Sequence, residues 1–101
     1  MKNLEFKSLV EMFGNKKRWT KFNYARDKQG RDVSVHDTDA IRFCLEGGLR
    51  RVYREEKYGE AKTRLEIAIW VLYRIQSIVQ FNDESSTTIE DIRRVCKKAQ
   101  V

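Results

Sequence analysis

The sequence of 101 residues is long enough for one domain with its own core, and 41% hydrophobic residues are too many for a disordered chain. Charged residues make up 36% of the chain, and the net charge is +6. The longest apolar run, residues 67–73, is shorter than the roughly 18 residues that suggest a membrane-spanning helix, and the N-terminus lacks a signal-peptide pattern. We therefore expect a single cytoplasmic domain over residues 1–101, without a membrane span.

The first predicted element is a short amphipathic helix over residues 4–13. Its apolar side chains recur at the spacing of one helix face: they are Phe6, Leu9, Val10 and Phe13. Asn3 is placed to cap the helix N-terminus, and Gly14 ends the pattern.

The positive charge is concentrated in residues 15–32, which we term the basic segment. It holds seven basic and two acidic side chains and accounts for five of the six net charges. The basic side chains are Lys16, Lys17, Arg18, Lys21, Arg26, Lys28 and Arg31, with Trp19, Phe22 and Tyr24 between them. Such a mixture can bind phosphates or an acidic protein surface, with an aromatic ring as anchor. Trp19 and Phe22, taken individually, are more typical of side chains that fill a core. The lysines and arginines are as typical of an ordinary solvated face as of a binding surface.

Residues 23–35 alternate weakly between apolar and polar side chains. Gly30 follows Asp27-Lys28-Gln29 and can adopt the positive φ that closes a turn. We predict a short hairpin or irregular excursion at about residues 20–36.

A second helix is predicted to begin after Asp37, a good N-cap, and to end at Tyr58-Gly59. Gly47 and Gly48 interrupt it, and each costs about 1 kcal/mol relative to alanine in a helix interior. The apolar periodicity continues through both, so we expect close packing of another backbone, from the central helix, at this point.

The central helix is predicted over residues 60–81. One stripe comprises Leu65, Ala68, Ile69, Leu72, Ile75 and Val79, and the flanks carry Ile67, Trp70, Val71 and Ile78. A helix that is apolar on every side is expected to be buried. The pattern therefore predicts a mainly all-α fold: a small four-helix domain around a buried central helix.

The last helix follows a polar loop, and Thr87 with Glu90 matches a capping box. Its inward side chains are predicted to be Ile89, Ile92, Val95, Cys96 and Ala99. Cys44 and Cys96 both fall on apolar helix faces, where we expect them to be small buried hydrophobic residues.

Candidate chemistry rests on few residues. His36 is the only histidine and could join Asp37, Asp39 and Asp83 around a metal, but no second histidine lies one helical turn away. A pairing of Cys44 with His36 would require a reactive thiol on an apolar helix face. Asn82 and Asp83 are expected to satisfy backbone groups at the end of the central helix. We expect no catalytic residue, metal or cofactor.

Several motifs occur along the chain in a fixed order: Arg18-Trp19, Ala25-Arg26-Asp27 with Gly30, Asp39-Ala40, the run from Phe43 to Leu49, and Phe81-Asn82-Asp83. Together they resemble a family of short uncharacterised bacterial and phage proteins. The resemblance extends over residues 19–99, and the chain departs from the pattern at Thr20 and Gly48. It implies a helical fold and a bacterial or mobile-element origin, and it carries no activity.

We expect a non-enzymatic interaction protein, such as a phage or mobile-element factor that inhibits a host protein or nucleoprotein complex involved in defence. Its contact residues are predicted to be Lys16, Lys17, Arg18, Trp19, Lys21, Tyr24, Arg26, Lys28 and Arg31. A small nucleic-acid-binding module is the alternative, since the same residues suit phosphates. An enzyme that uses His36 and Asp83 is the third hypothesis. The partner and the oligomeric state stay open.

Overall fold

The computed structural model describes residues 5–101, and the mainly helical fold expected from the sequence is confirmed. These residues form five α-helices, a 3₁₀ turn and one two-stranded sheet. The helices are α1 (Leu9–Met12), α2 (Leu45–Val52), α3 (Glu55–Tyr73), α4 (Ile78–Asp83) and α5 (Ile89–Ala99); the strands are β1 (Ala25–Arg26) and β2 (Arg42–Phe43), and the 3₁₀ turn is Lys16–Arg18. The single-domain organisation stays a prediction.

Helix α1 begins later than predicted. The hydroxyl of Ser8 accepts a hydrogen bond from the Glu11 amide at 3.0 Å and caps the helix there. The predicted cap Asn3 and the predicted first residue lie outside the described residues. Leu9 and Phe13 are fully buried as predicted, but the side chain of Val10 is exposed because α1 makes only one turn and buries one face.

The sheet does not have the predicted partner strands. Strand β1 pairs antiparallel with β2, with Ala25 opposite Phe43. The predicted turn does form, since Asp27 accepts hydrogen bonds from the amides of Gln29 and Arg31, and Gly30 has a φ of 82°. After this turn the chain makes only an isolated bridge between residues 26 and 32. The predicted excursion at about residues 20–36 is therefore mainly irregular, and its one regular strand pairs outside it.

The second helix is shorter than predicted at both ends. Asp37 caps a local turn, with its carboxylate 2.7 Å from the Asp39 amide, and residues 42–43 extend to join β1. Helix α2 begins only after Cys44, whose sulfur accepts a hydrogen bond from the Gly47 amide at 3.3 Å. It ends at Val52, because the backbone becomes extended at Tyr53 before α3 starts.

The two glycines do mark a close approach, but α3 is not the neighbour. A Cβ on Gly47 would lie 1.9 Å from the carbonyl oxygen of Tyr24, in the segment leading into β1. A Cβ on Gly48 would lie 3.1 Å from the side chain of Leu9 in α1. Helix α2 is thus pressed against β1 and α1 through its glycine face.

The predicted central helix over residues 60–81 is two helices. Helix α3 ends at Arg74, which adopts left-handed backbone angles, and α4 begins after Ser77. The Ser77 hydroxyl accepts a hydrogen bond from the Gln80 amide at 3.1 Å, so it caps a new helix instead of continuing the old one.

The prediction that α3 is buried on every side was also wrong. Its fully covered side chains lie on one face and are Ala61, Leu65, Ala68 and Ile69. The apolar side chains exposed over residues 67–79 are Ile67, Trp70, Val71, Leu72 and Val79. No neighbouring segment of the described chain covers the solvent face of α3, whose C-terminal half is therefore apolar and open.

Helix α5 packs antiparallel to α3. Tyr73 near the end of α3 donates a hydrogen bond to Asp91 near the start of α5, and Arg64 donates to the Ala99 carbonyl at the other end. The capping box is one residue later than predicted: it joins Thr88 and Asp91. Thr87 is instead buried, with its hydroxyl donating to the carbonyl of Phe81 at 2.7 Å.

In the part of the chain that the structure describes, no helix combines the length and the apolar character needed to cross a bilayer.

Candidate binding surface on the basic segment

The basic segment is attached to the helices through the side chain of Asn82, which is fully buried. Its oxygen accepts hydrogen bonds from the Trp19 indole nitrogen at 2.7 Å and from the Leu45 amide at 3.0 Å. Its nitrogen donates to the Thr20 carbonyl at 3.1 Å. One side chain at the end of α4 thus holds Trp19 half-buried against the core and links it to the start of α2.

Asp83, next to Asn82 in α4, holds Phe22 of the basic segment in an unusual backbone conformation. The Asp83 carboxylate accepts hydrogen bonds from the Phe22 amide and from the Asn82 side chain, each at 2.9 Å. Phe22 has a φ of 74°, and left-handed angles cost a residue with a Cβ about 1–2 kcal/mol. Phe22 is nevertheless 73% exposed. The interpretation of Phe22 as a core side chain was therefore wrong, whereas that of Trp19 agrees with its packing.

Asn82 and Asp83 were predicted to satisfy backbone groups at the end of the central helix, and that location was wrong. They bond the backbone of Thr20 and Phe22 in the basic segment, more than sixty positions away, and the backbone of Leu45. The only signal for this was a pair of polar residues directly after the apolar stretch.

Part of the positive charge is used to hold the segment in shape. Arg26 donates hydrogen bonds to the Thr20 hydroxyl and to the carbonyls of Gly30 and Lys21. Lys21 in turn donates to the Glu84 carbonyl and lies over the Trp19 ring.

Two further arginines of the segment also bond within the chain. Arg18 reaches the Ile41 carbonyl at 3.3 Å, and Arg31 forms an ion pair of 2.8 Å with Asp27. Burial acts to raise the pKa of Asp27, but the hydrogen bonds and charge of Arg31 outweigh burial and lower it. The remaining basic residues, Lys16, Lys17 and Lys28, are exposed on the surface.

Tyr24 adds a second aromatic ring, 44% exposed. The guanidinium of Arg50 lies 4.7 Å from its centroid, which is a cation–π distance. A groove of about 360 Å³ runs beside this pair and is lined on its other side by residues 32–35. The basic segment therefore carries two exposed aromatic residues, Phe22 and Tyr24, and three exposed lysines.

The candidate nucleophile Cys44 is buried, and burial raises the pKa of its thiol to about 11. A cysteine of that pKa carries almost no thiolate at neutral pH. Burial also raises the pKa of Cys96, to about 12. Both cysteines are buried as predicted.

The candidate metal residues are not gathered around one point. Among residues 5–101, no group of three or more histidine, cysteine, aspartate or glutamate side chains is placed to hold a metal ion. His36 is exposed, and its amide donates to the Ser34 hydroxyl at 3.3 Å. The carboxylate of Asp83, its proposed partner, is bonded to Phe22 and Asn82.

The fold and this surface define a small, mainly helical domain that displays a basic and aromatic segment. A family model described as a family of unknown function (DUF6197) matches residues 12–100, and the chain belongs to that family. The expected resemblance to an uncharacterised family is thereby confirmed. No curated protein and no solved structure matches the chain significantly.

Proposed function

We propose that this protein is a non-enzymatic binding protein that engages an acidic surface of a partner protein or nucleoprotein complex through the basic segment, with Phe22 as the anchor. The observation that carries the proposal is the exposed ring of Phe22 on a left-handed backbone, held there by Asp83.

The exposed ring of Phe22 contributes little to the stability of the free protein. Its backbone angles cost energy, and most of its apolar surface stays in water. Strained residues persist where the surrounding structure holds them, and they cluster at binding sites. Aromatic side chains that become buried on association are typical anchors of interfaces. Partner binding gives this conformation a physical reason.

The internal bonds of the arginines favour a protein partner over free nucleic acid. Arg18, Arg26 and Arg31 already bond oxygen atoms of this chain. The exposed lysines that remain would neutralise few phosphates, and generic nucleic-acid affinity depends on that number. Nucleic acid is the second candidate, because Phe22 and Tyr24 beside lysines resemble the stacking rings of single-strand binders.

The biological role that we propose is that of a phage or mobile-element factor that acts in the cytoplasm and inhibits a host defence complex. It rests on the sequence resemblance described above. An enzyme using His36 and Asp83 is the weakest of the three hypotheses, because Asp83 is occupied by structural hydrogen bonds.

A pull-down from nuclease-treated bacterial lysate tests the charge. The variant reverses Lys16, Lys17 and Lys28 to glutamate; Lys21 is left unchanged because it bonds Glu84. The control reverses Lys7, Lys57 and Lys97, three exposed lysines elsewhere, which changes the net charge equally. We expect the control to capture the partner and the variant to lose it. Capture by the wild type should weaken steeply as the salt concentration rises. Equal capture by both variants would contradict the proposal.

A second pair of variants tests the anchor. Phe22→Ala and Phe22→Gly both remove the ring, but only glycine removes the backbone strain, so Phe22→Gly should be more stable than Phe22→Ala by about 1 kcal/mol. Both variants should lose partner binding about tenfold or more. If the two variants differed in partner affinity in the order of their stabilities, the anchor role would be contradicted, because both lack the ring.

A separate measurement tests nucleic acid. Binding of wild type to a labelled single strand in fluorescence anisotropy, at physiological salt, would favour the nucleic-acid alternative.

A further inference from the structure

We propose that the solvent face of α3 is the contact surface of an antiparallel homodimer whose two-fold axis passes close to Ile67. This surface is separate from the basic segment, and the inference does not depend on the proposed function.

The face carries a contiguous apolar patch. Ile67 is 57% exposed, Trp70 43% and Val71 48%. The spacing of three and four residues places these side chains together on one side of the helix, opposite the buried face that contains Leu65 and Ala68. Beside them, a groove of about 250 Å³ separates α3 from the C-terminal end of α5. Large apolar side chains that adjoin one another at the surface are typical of interfaces.

Charges of opposite sign lie at the two ends of the patch. Glu60 precedes Ile67 by seven residues and Arg74 follows it by seven. Seven residues are close to two helical turns, so Glu60 lies on the same face as Ile67, about 10 Å from it along the axis. Arg74 follows the last helical residue and has left-handed backbone angles, so its contact with Trp70, and not the helical spacing, places its side chain at this end of the patch. The Arg74 guanidinium lies 5.3 Å from the centroid of the Trp70 ring, which extends the patch to the end of the helix.

This arrangement is complementary to itself. Two copies of α3 that cross antiparallel at Ile67 bring Arg74 of each copy opposite Glu60 of the other, and they cover both tryptophans. Twofold dimers use the same patch on both subunits and are the commonest oligomers. A foreign acidic helix would match Arg74 but would meet repulsion from Glu60. The charge pattern therefore favours a second copy as the occupant.

Sedimentation velocity over a concentration series from about 1 μM to about 1 mM tests the proposal. Wild type should shift from monomer to dimer, and Trp70→Glu should stay monomeric while keeping its helical circular dichroism. Phe22→Ala, which removes an exposed ring outside α3, is the control and should dimerise like wild type.

Charge exchange identifies the geometry. Glu60→Arg and Arg74→Glu should each weaken the dimer about tenfold, because each single change creates two like-charge contacts across the axis. The double variant restores opposite charges and should recover most of the lost affinity. A wild type that remains monomeric throughout, a Trp70→Glu variant that still dimerises, or a double variant no better than the single ones would each overturn the proposal.

Discussion

Asn82 connects parts of the protein that are remote in the sequence. It is fully buried, and its amide group bonds the Trp19 indole, the Leu45 backbone and the Thr20 backbone. A buried amide that satisfies several partners leaves each of them unpaired when it is removed. The position of the basic segment therefore depends on this one side chain.

We predict that Asn82→Ala destabilises the protein by about 3 kcal/mol, because it leaves buried hydrogen-bonding groups without partners. Urea unfolding, followed by circular dichroism, measures the change. Gln80→Ala, an exposed position on the same helix, is the control and should change stability by less than about 0.5 kcal/mol. A loss in Asn82→Ala no larger than in the control would contradict the structural role of Asn82.

Helix α2 depends on the absence of a side chain at one position. A Cβ at Gly47 would meet the Tyr24 carbonyl oxygen at 1.9 Å, which is far inside contact distance. We predict that Gly47→Ala costs about 3 kcal/mol or more, since β1 or α2 must move away. Gly59→Ala is the matched control: this glycine lies inside α3 with nothing within 4 Å of an added Cβ, so alanine should stabilise by up to about 1 kcal/mol. Equal effects in thermal unfolding would show that α2 does not approach β1 so closely.

The N-terminus of α5 carries a pH-dependent contact. Burial acts to raise the pKa of Asp91, but hydrogen bonds from Thr88 and Tyr73 and the nearby charge of Arg94 outweigh it and hold the pKa below its ordinary value of 3.8. The lowered pKa means that the carboxylate form is favoured by folding. Its contribution is complete above about pH 4 and is lost as the pH falls through the lowered pKa.

We therefore predict that Asp91→Asn lowers the free energy of unfolding by about 1 kcal/mol at pH 7 and that its difference from wild type shrinks below about pH 4. Urea unfolding at several pH values measures this. Glu90→Gln, which removes an exposed charge from the same turn, is the control. A difference that stays constant down to low pH would show that the Asp91 charge contributes nothing to the cap.

The core of the described chain is centred on the antiparallel pair of α3 and α5. Leu65 and Ile69 on one helix and Ile92 and Val95 on the other are fully buried. We predict the slowest amide hydrogen exchange in residues 65–69 and 92–96, because opening them requires separation of this pair. Residues 74–77, between α3 and α4, should exchange much faster. Equally slow exchange across residues 65–79 would indicate one continuous helix in solution.

Local patterns in the sequence were sufficient for several features. The start of α5 was predicted within one residue, and Leu65, Ala68 and Ile69 were identified as core side chains from their spacing alone. The turn at Gly30 and the concentration of charge in residues 15–32 also followed from residue types. Helical periodicity and turn chemistry act over a few residues, so a short stretch of sequence carries them.

Other features depend on partners that are far away in the chain. Strand β2 was assigned to a helix because its pairing with β1, about seventeen positions earlier, leaves no local pattern. The exposure of Phe22 depends on Asp83, and the half-buried position of Trp19 depends on Asn82. The apolar solvent face of α3 was wrongly predicted to be buried. Hydrophobicity indicates that a side chain avoids water, but it does not indicate which surface covers that side chain. The sequence alone thus determined the helical class, most of the core and the location of the charge. The tertiary structure decided which aromatic and apolar side chains remain at the surface, because hydrogen bonds and packing between distant residues select among alternatives that local preferences leave nearly equal in energy.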